Sequence, residues 1–116
     1  MNKIIGIGID IIDVKRFEKM KYEENKKFYS KIFSDEEIQY CLKFKNPYER
    51  FAGKFALKEA TIKAVNHRIS MPEIETNHIN SKPIVTIKNN NDIEFKVSLT
   101  HDLKIAVGVV ISFLKN

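Results

Sequence analysis

The sequence predicts an α+β fold in which a helical middle packs on a mostly antiparallel sheet that an N-terminal strand joins. Three observations predict it. Ile5, Ile7, Ile9 and Ile11 alternate with Gly6, Gly8 and Asp10, the period of two expected of a strand with chemically different faces. From Asp13 to about Asn66 the apolar residues recur at helical spacings. After Pro72 the texture changes to short runs rich in Ile, Val, Thr and Phe, separated by polar turns. The chain has 116 residues, 43% of them hydrophobic. That suffices for one core but not two, so residues 1–116 read as one domain. A chain this small keeps a large surface for its volume, and association with copies of itself is a common route to stability or to a deep site.

In the first strand, one face is all isoleucine and the other is bare backbone ending in a carboxylate. Val14, Phe17, Met20, Phe28 and Ile32 then predict two short helices broken near Tyr22 to Asn25. Ser34-Asp35-Glu36-Glu37 has the form of a capping box and opens a helix through about Phe44. Asn46 as cap, Pro47 at the first helical position and Glu49 at the third open the longest helix, to about Asn66. Strands follow at about Ile74 to Ile79, Pro83 to Lys88, Ile93 to Thr100 and Ile105 to Phe113. The tract Asn89-Asn90-Asn91-Asp92 predicts that the middle two form a hairpin, because asparagine tolerates turn conformations. The last strand is apolar on both faces and is expected at the centre of the sheet.

The formal charge of +5 and the pI near 9.3 come mainly from lysine. Such a balance steers acidic partners without choosing among them. Arginine occurs only as Arg16, Arg50 and Arg68. That scarcity, with no basic patch interleaved with aromatics, argues against nucleic-acid binding. Cys41 is the only cysteine, which excludes an internal disulfide and a cysteine zinc cluster. Met1-Asn2-Lys3 followed by Ile4 to Ile11 reads as a buried strand and not as a signal peptide. No apolar run approaches the roughly 18 residues a bilayer span needs. No membrane partner is expected, and the expected location is cytoplasmic.

Gly6, Gly8 and Asp10 share a strand face, and two readings are open. Either the glycines let a ligand approach the backbone before a waiting carboxylate, or they make room for a helix. A dinucleotide fingerprint fits poorly, since the third glycine is missing. On the long helix, Lys54 with Lys58 and Glu59 with Lys63 are four-residue pairs, the pattern of a solvated, salt-bridged face. Phe55-Ala56-Leu57 and Ala60 instead draw Glu59 toward the buried side, where an unpaired carboxylate is costly and a metal ion would relieve it. Two carboxylates on separate elements with lysines nearby suit magnesium held partly by substrate phosphate. Ser98 and Thr100 point away from Phe95, Val97 and Leu99 and are expected to line one pocket wall with His101. A Ser/His/Asp triad is a poor reading of Ser98, His101 and Asp102, because residues so close in sequence rarely meet in triad geometry. His67, Arg68 and His78 read as surface residues, and Cys41 as a packing residue.

These segments, in this order, resemble the holo-(acyl carrier protein) synthase family, the small type of phosphopantetheinyl transferase. The likeness lies in Gly6-Ile7-Gly8-Ile9-Asp10-Ile11 followed by Arg16, in Phe51-Ala52-Gly53-Lys54-Phe55-Ala56-Leu57-Lys58-Glu59-Ala60 with Lys63-Ala64, and in Val97-Ser98-Leu99-Thr100-His101. It implies a phosphopantetheinyl transferase-like fold and transfer of phosphopantetheine from coenzyme A to a serine of apo acyl carrier protein. It further implies magnesium on Asp10 and Glu59, phosphate neutralised by Lys63, Lys54 and Lys58, and His101, Ser98, Thr100 and Pro83 near the substrate. The base is left open between Glu59 and a metal-bound water. The same resemblance implies a homotrimer with sites between subunits and a first helix whose Lys15, Arg16 and Lys19 meet the acidic carrier. Three departures from the family pattern stand out: Val65-Asn66-His67-Arg68 where a glycine-rich turn is usual, Ser81 where glycine is usual, and Lys54 where arginine is common. The rivals to this reading are a basic nucleic-acid-binding domain and an adaptor that keeps the fold without the chemistry.

Overall fold

The computed structural model describes residues 3–115; Met1 and Asn2, read above with the first strand, lie outside them. Strand β1 (Lys3–Asp13) leads into two short helices, α1 (Lys15–Glu18) and α2 (Lys26–Ser30), separated by a 3-10 turn at Tyr22–Glu24. Helices α3 (Asp35–Leu42) and α4 (Pro47–Ala64) follow. After a 3-10 turn at Met71–Glu73 come β2 (Ile74–Ile79), β3 (Lys82–Ile87), β4 (Ile93–His101) and β5 (Ile105–Leu114). The α+β reading holds. The strands form two antiparallel sheets, one ordered β1-β5-β4 with β5 at its centre, and a β2-β3 ribbon.

The expected hairpin is misplaced by one connection. Asn89 does take a turn conformation, with φ of 59°, but β3 and β4 belong to different sheets. The hairpin is β2-β3, closed at Asn80-Ser81, both at positive φ (51° and 68°). Two successive left-handed residues match the twist of the flanking strands. Asparagine accepts that conformation readily and serine does not, which is why the Asn tract gave the stronger signal.

Helix α4 lies across β1 and β5 because both surfaces are made of small residues. A methyl group on Gly8 would lie 1.9 Å from the Ala60 carbonyl oxygen, and one on Gly6 would lie 2.5 Å from that of Ala64. Gly108, opposite Asp10 in the ladder, meets the backbone of Ala56 and Leu57 in the same way. Of the two readings of Gly6 and Gly8, room for a helix is the one the structure shows. On one side of this seam Phe17, Tyr29, Phe33 and Phe51 pack in an aromatic core, Tyr29 edge to face on Phe51 and the other rings tilted against one another. On the other, Leu57, Ala60 and Val110 meet Ile74, Val85 and Ile87 of the ribbon.

Among the described residues, nothing covers the opposite face of the large sheet. Ile7, Ile9 and Ile11 are 60–65% exposed, against the expectation of a buried strand. They pair in the ladder with Ile111, Val109 and Val107, so the two rows form one continuous apolar surface. Ser98 and Thr100 pair with Val109 and Val107 from the other side and edge that surface.

Candidate functional site

The close crossing of α4 over β1 determines what lies beside Asp10. It follows Gly6 and Gly8 on the face turned to the helix, and Lys63 reaches back from the last turn. The Lys63 ammonium donates to the Ile9 carbonyl at 2.9 Å and to Asp10 Oδ1 at 3.3 Å. Asp10 Oδ2 is buried and has no hydrogen-bond partner among the described residues. Glu59, one turn before Lys63 on the same helix face, is half-buried and enters no ion pair among the described residues. A buried carboxylate oxygen without a donor is costly unless a cation reaches it. Among the described residues no group of three or more metal-ligating side chains converges. Two carboxylates with room for substrate oxygens form the donor set magnesium takes when phosphate completes its shell, and Asp10 and Glu59 fit it.

Lys58 corrects the picture of three phosphate-facing lysines. Lys58 is fully buried and donates to the carbonyls of Ile32 (2.7 Å), Ile74 (2.8 Å) and Met71 (3.2 Å), while Glu37 Oε1 lies 2.8 Å away. No donor is left for a ligand. Glu37 has two roles: it completes the capping box with Ser34, and its other oxygen takes the Thr76 amide and hydroxyl. Lys54 is also buried, its ammonium 3.0 Å from Thr76 Oγ1 and 4.7 Å from the centre of the Tyr40 ring. Burial holds the Lys54 ammonium below its usual lysine range, only partly offset by Cys41 and Glu37. The helical spacing was read correctly, but the sequence does not show that α3 and β2 close over this stripe.

A groove of 490 Å³ opens on the other side of Tyr40, between Phe44, Arg50, Pro83 and His101. Gly53 lets β4 approach, since a methyl group there would meet Leu99 at 3.2 Å and the His101 ring at 3.6 Å. His101 Nδ1 lies 2.5 Å from Glu49 Oε1. The ring therefore presents its Nδ1 hydrogen to Glu49 and keeps Nε2 for another partner. Asn46, expected to cap α4, makes no side-chain cap bond, and Glu49 is turned to His101 instead of back to the helix start. His101 thus faces the helix side of the sheet, while Ser98 and Thr100 face the open side, so the three do not share a wall. Pro83 and His101 do share one.

His78, read as a surface residue, stacks on Tyr40 with ring centres 4.7 Å apart. Burial, then the charges of Lys54 and Arg50, hold its imidazole below the usual histidine range. Tyr40, His78, Glu49 and Arg50 are the site residues that sequence reasoning missed. One signal was available: Arg50, one of only three arginines, lies one turn before Lys54 on the same stripe. Lys15 and Arg16 on α1, and Lys19 just after it, are exposed. The Arg16 guanidinium lies 5.4 Å from the centre of the Phe55 ring.

The carboxylate pair and the groove use opposite sides of α4. Arg50 and Glu59 are nine residues apart, two and a half turns, which sets them about 180° apart around the helix and about 13 Å apart along it.

Residues 6–111 match the 4'-phosphopantetheinyl transferase superfamily. A holo-[acyl-carrier-protein] synthase from Thermodesulfovibrio yellowstonii is 35% identical over 111 residues, covering 93% of this chain and 97% of its own. One from Geobacillus is 39% identical over 115 residues, covering 93% and 95%. The fold superimposes on the crystal structure of a holo-(acyl-carrier-protein) synthase from Bacillus anthracis in complex with CoA (3',5'-ADP) with a TM-score of 0.83 at 33% identity, covering 97% of this chain and 98% of that one. On the Helicobacter pylori synthase in complex with coenzyme A the TM-score is 0.77 at 31% identity, with 91% and 98% covered. The chain belongs to the holo-[acyl-carrier-protein] synthase family of the 4'-phosphopantetheinyl transferases.

Proposed function

We propose that this chain transfers the 4'-phosphopantetheine group of coenzyme A to a serine of apo acyl carrier protein, with magnesium held by Asp10 and Glu59 against the diphosphate. The observation that carries the metal assignment is the buried, unpartnered Oδ2 of Asp10 beside Lys63. The serine oxygen forms a bond to the pantetheine-side phosphorus. The bond from that phosphorus to the bridging oxygen breaks, and adenosine 3',5'-bisphosphate leaves with the electron pair. Magnesium, when bound, neutralises diphosphate charge as it moves to the leaving oxygen. Lys63, half-exposed and 3.3 Å from Asp10, adds a positive charge that needs no reorganisation at the moment of transfer. The serine proton passes either to Glu59, which enters no ion pair among the described residues, or to a water beside it.

The active unit is a homotrimer with sites between subunits. Its support is twofold: the uncovered isoleucine and valine rows of β1 and β5, and the opposed placement of the carboxylates and the groove, which one copy cannot turn toward a single diphosphate. A neighbour seated on the open face would also bring Ser98 and Thr100 into an interface. Lys15, Arg16 and Lys19 receive the acidic carrier by charge. Cys41, buried and reduced, suits a cytoplasmic protein.

The test is to incubate the protein with coenzyme A, magnesium and an apo carrier, and to weigh the carrier. A mass gain of one phosphopantetheine is expected, lost on chelation and in Glu59→Ala, with sedimentation giving three times the chain mass. Full transfer in excess chelator would remove the metal from the mechanism.

A further inference from the structure

The first helix is held by two tyrosine hydroxyls that the transfer chemistry does not use. Helix α1 has four residues, a single turn, too short to keep its shape alone. Its start is tied to the sheet: the Val14 amide donates to the Lys104 carbonyl at 2.8 Å, and the Lys15 amide to Asp13 Oδ1 at 2.9 Å. Beyond its end, the Tyr29 hydroxyl of α2 donates to the Met20 carbonyl at 2.7 Å, with the Phe17 carbonyl 3.3 Å away. The Met20 carbonyl has no other donor among the described residues. Two residues on, the Tyr22 amide donates to the Tyr48 hydroxyl at 3.1 Å, at the start of α4.

Packing alone does not account for the Tyr29 hydroxyl. The ring is fully buried against Phe17, Phe33 and Phe51, where a phenylalanine would fill the same space. A buried hydroxyl is costly unless it finds a partner. The partners it finds are carbonyls in α1 and in the turn after it, where a helix end leaves acceptors without donors. Asp10 stands five residues before Lys15 on the strand that runs into α1. The angle of α1 therefore decides where Lys15, Arg16 and Lys19 stand relative to that carboxylate. A misplacement of about 1 Å is felt in a transfer reaction even when it starts far from the reacting atoms. We infer that Tyr29 is a positioning residue for the carrier: its hydroxyl fixes the end of α1, with Tyr48 as the second tie, so that a carrier seated on Lys15, Arg16 and Lys19 presents its serine to the site at Asp10. This rests on the carrier-docking reading above. The carboxylate pair of Asp10 and Glu59 involves neither tyrosine, so the tie acts on the carrier and not on coenzyme A.

Steady-state carrier labelling by the wild type, Tyr29→Phe and Tyr48→Phe, with carrier and coenzyme A varied separately, isolates the tie. Tyr29→Phe should raise KM for the carrier about threefold to tenfold, the worth of one net hydrogen bond, and leave KM for coenzyme A unchanged. Hydrogen exchange should quicken at the amides of residues 17–22 and not in α4. Ile87→Val, in the second core and away from α1, controls for lost stability: it should lower the urea midpoint with the carrier KM unchanged. A carrier KM that keeps its wild-type value in Tyr29→Phe, or one that rises equally in Ile87→Val, overturns the assignment. Should Tyr29→Phe prove unfolded, Tyr48→Phe decides in its place, an unchanged carrier KM again overturning it. Arg16→Glu separates the levels. A wild type that modifies no carrier defeats the transferase reading, and an active enzyme whose carrier KM ignores Arg16→Glu defeats docking on α1. One that responds to Arg16→Glu but not to Tyr29→Phe defeats the role of Tyr29 only.

Discussion

Two acid–lysine pairs share α4, and they differ in everything except their chemistry. Glu37 and Lys58 lie 2.8 Å apart with side chains 4% and 1% exposed. Asp10 and Lys63 lie 3.3 Å apart with side chains 15% and 52% exposed. In the first pair each charged atom has partners: three carbonyls around Lys58, the Ser34 amide and Lys58 on one oxygen of Glu37, the Thr76 amide and hydroxyl on the other. In the second, Asp10 Oδ2 has none. A complete buried network joins α3, α4 and β2, and has nothing left to offer a substrate. An incomplete one retains the capacity to bind. Satisfaction of hydrogen bonds, and not residue type, separates the structural pair from the reactive one.

The largest effect expected from this contrast is on stability. Lys58→Met leaves Glu37 charged and buried and deprives the carbonyls of Ile32, Met71 and Ile74 of their donor. Breaking a buried pair from one side costs about 3–5 kcal/mol, and urea unfolding should record a loss of that order. A loss below about 1 kcal/mol would mean that Lys58 is not the clamp described here.

Asp10→Asn should do the reverse. Its partner Lys63 is half in solvent, where an ion pair is worth roughly 0–1 kcal/mol, and the substitution removes the charge from an oxygen that had no donor. Unfolding should stay within about 1 kcal/mol of the wild type, while kcat/KM for carrier modification falls about 100-fold or more. A stability loss as large as that of Lys58→Met would put Asp10 in the structural class and erase the distinction.

Most of the elements were legible in the sequence, because local rules govern them. Alternation located β1, the Ser34 and Glu37 spacing opened α3, and the two apolar faces of β5 made it central. What failed were judgements that depend on which distant segment arrives. Lys54 and Lys58 have the spacing of a solvated face, and nothing within a helical turn reveals that Thr76 and the Ile74 carbonyl will close over them. Glu37 reads as a capping residue and is one, yet its second role needs Lys58 and Thr76. His78 was set aside as a surface residue because its stacking partner, Tyr40, lies on another element. The isoleucine face of β1 was read as buried since composition cannot tell burial in the chain from burial between chains. Asp10 and Glu59 could be singled out because each conflicts with its own surroundings, a carboxylate ending a bare backbone face and another beside Ala60.

Acid sharpens the contrast further, with a smaller effect. Burial alone would push the Glu37 carboxyl up, but the charge of Lys58 and hydrogen bonds from Lys58, Thr76 and the Ser34 amide outweigh it and hold it below 4.5. A carboxyl held low in the folded state contributes stability that is complete above 4.5, its value in the unfolded chain, and that fades as pH falls through the lower, folded value. The slope is at most about 1.4 kcal/mol per pH unit, one proton's worth. Glu37→Gln lacks this carboxyl, so it should be less stable than the wild type at neutral pH, and the gap should narrow as the wild-type carboxyl takes its proton. Urea unfolding of both proteins from pH 7 down to about pH 3 measures that gap directly. A gap that stays constant across the range would mean that the charge of Glu37 contributes nothing to holding α3 to α4, and that the neutral contacts of its side chain do all the joining.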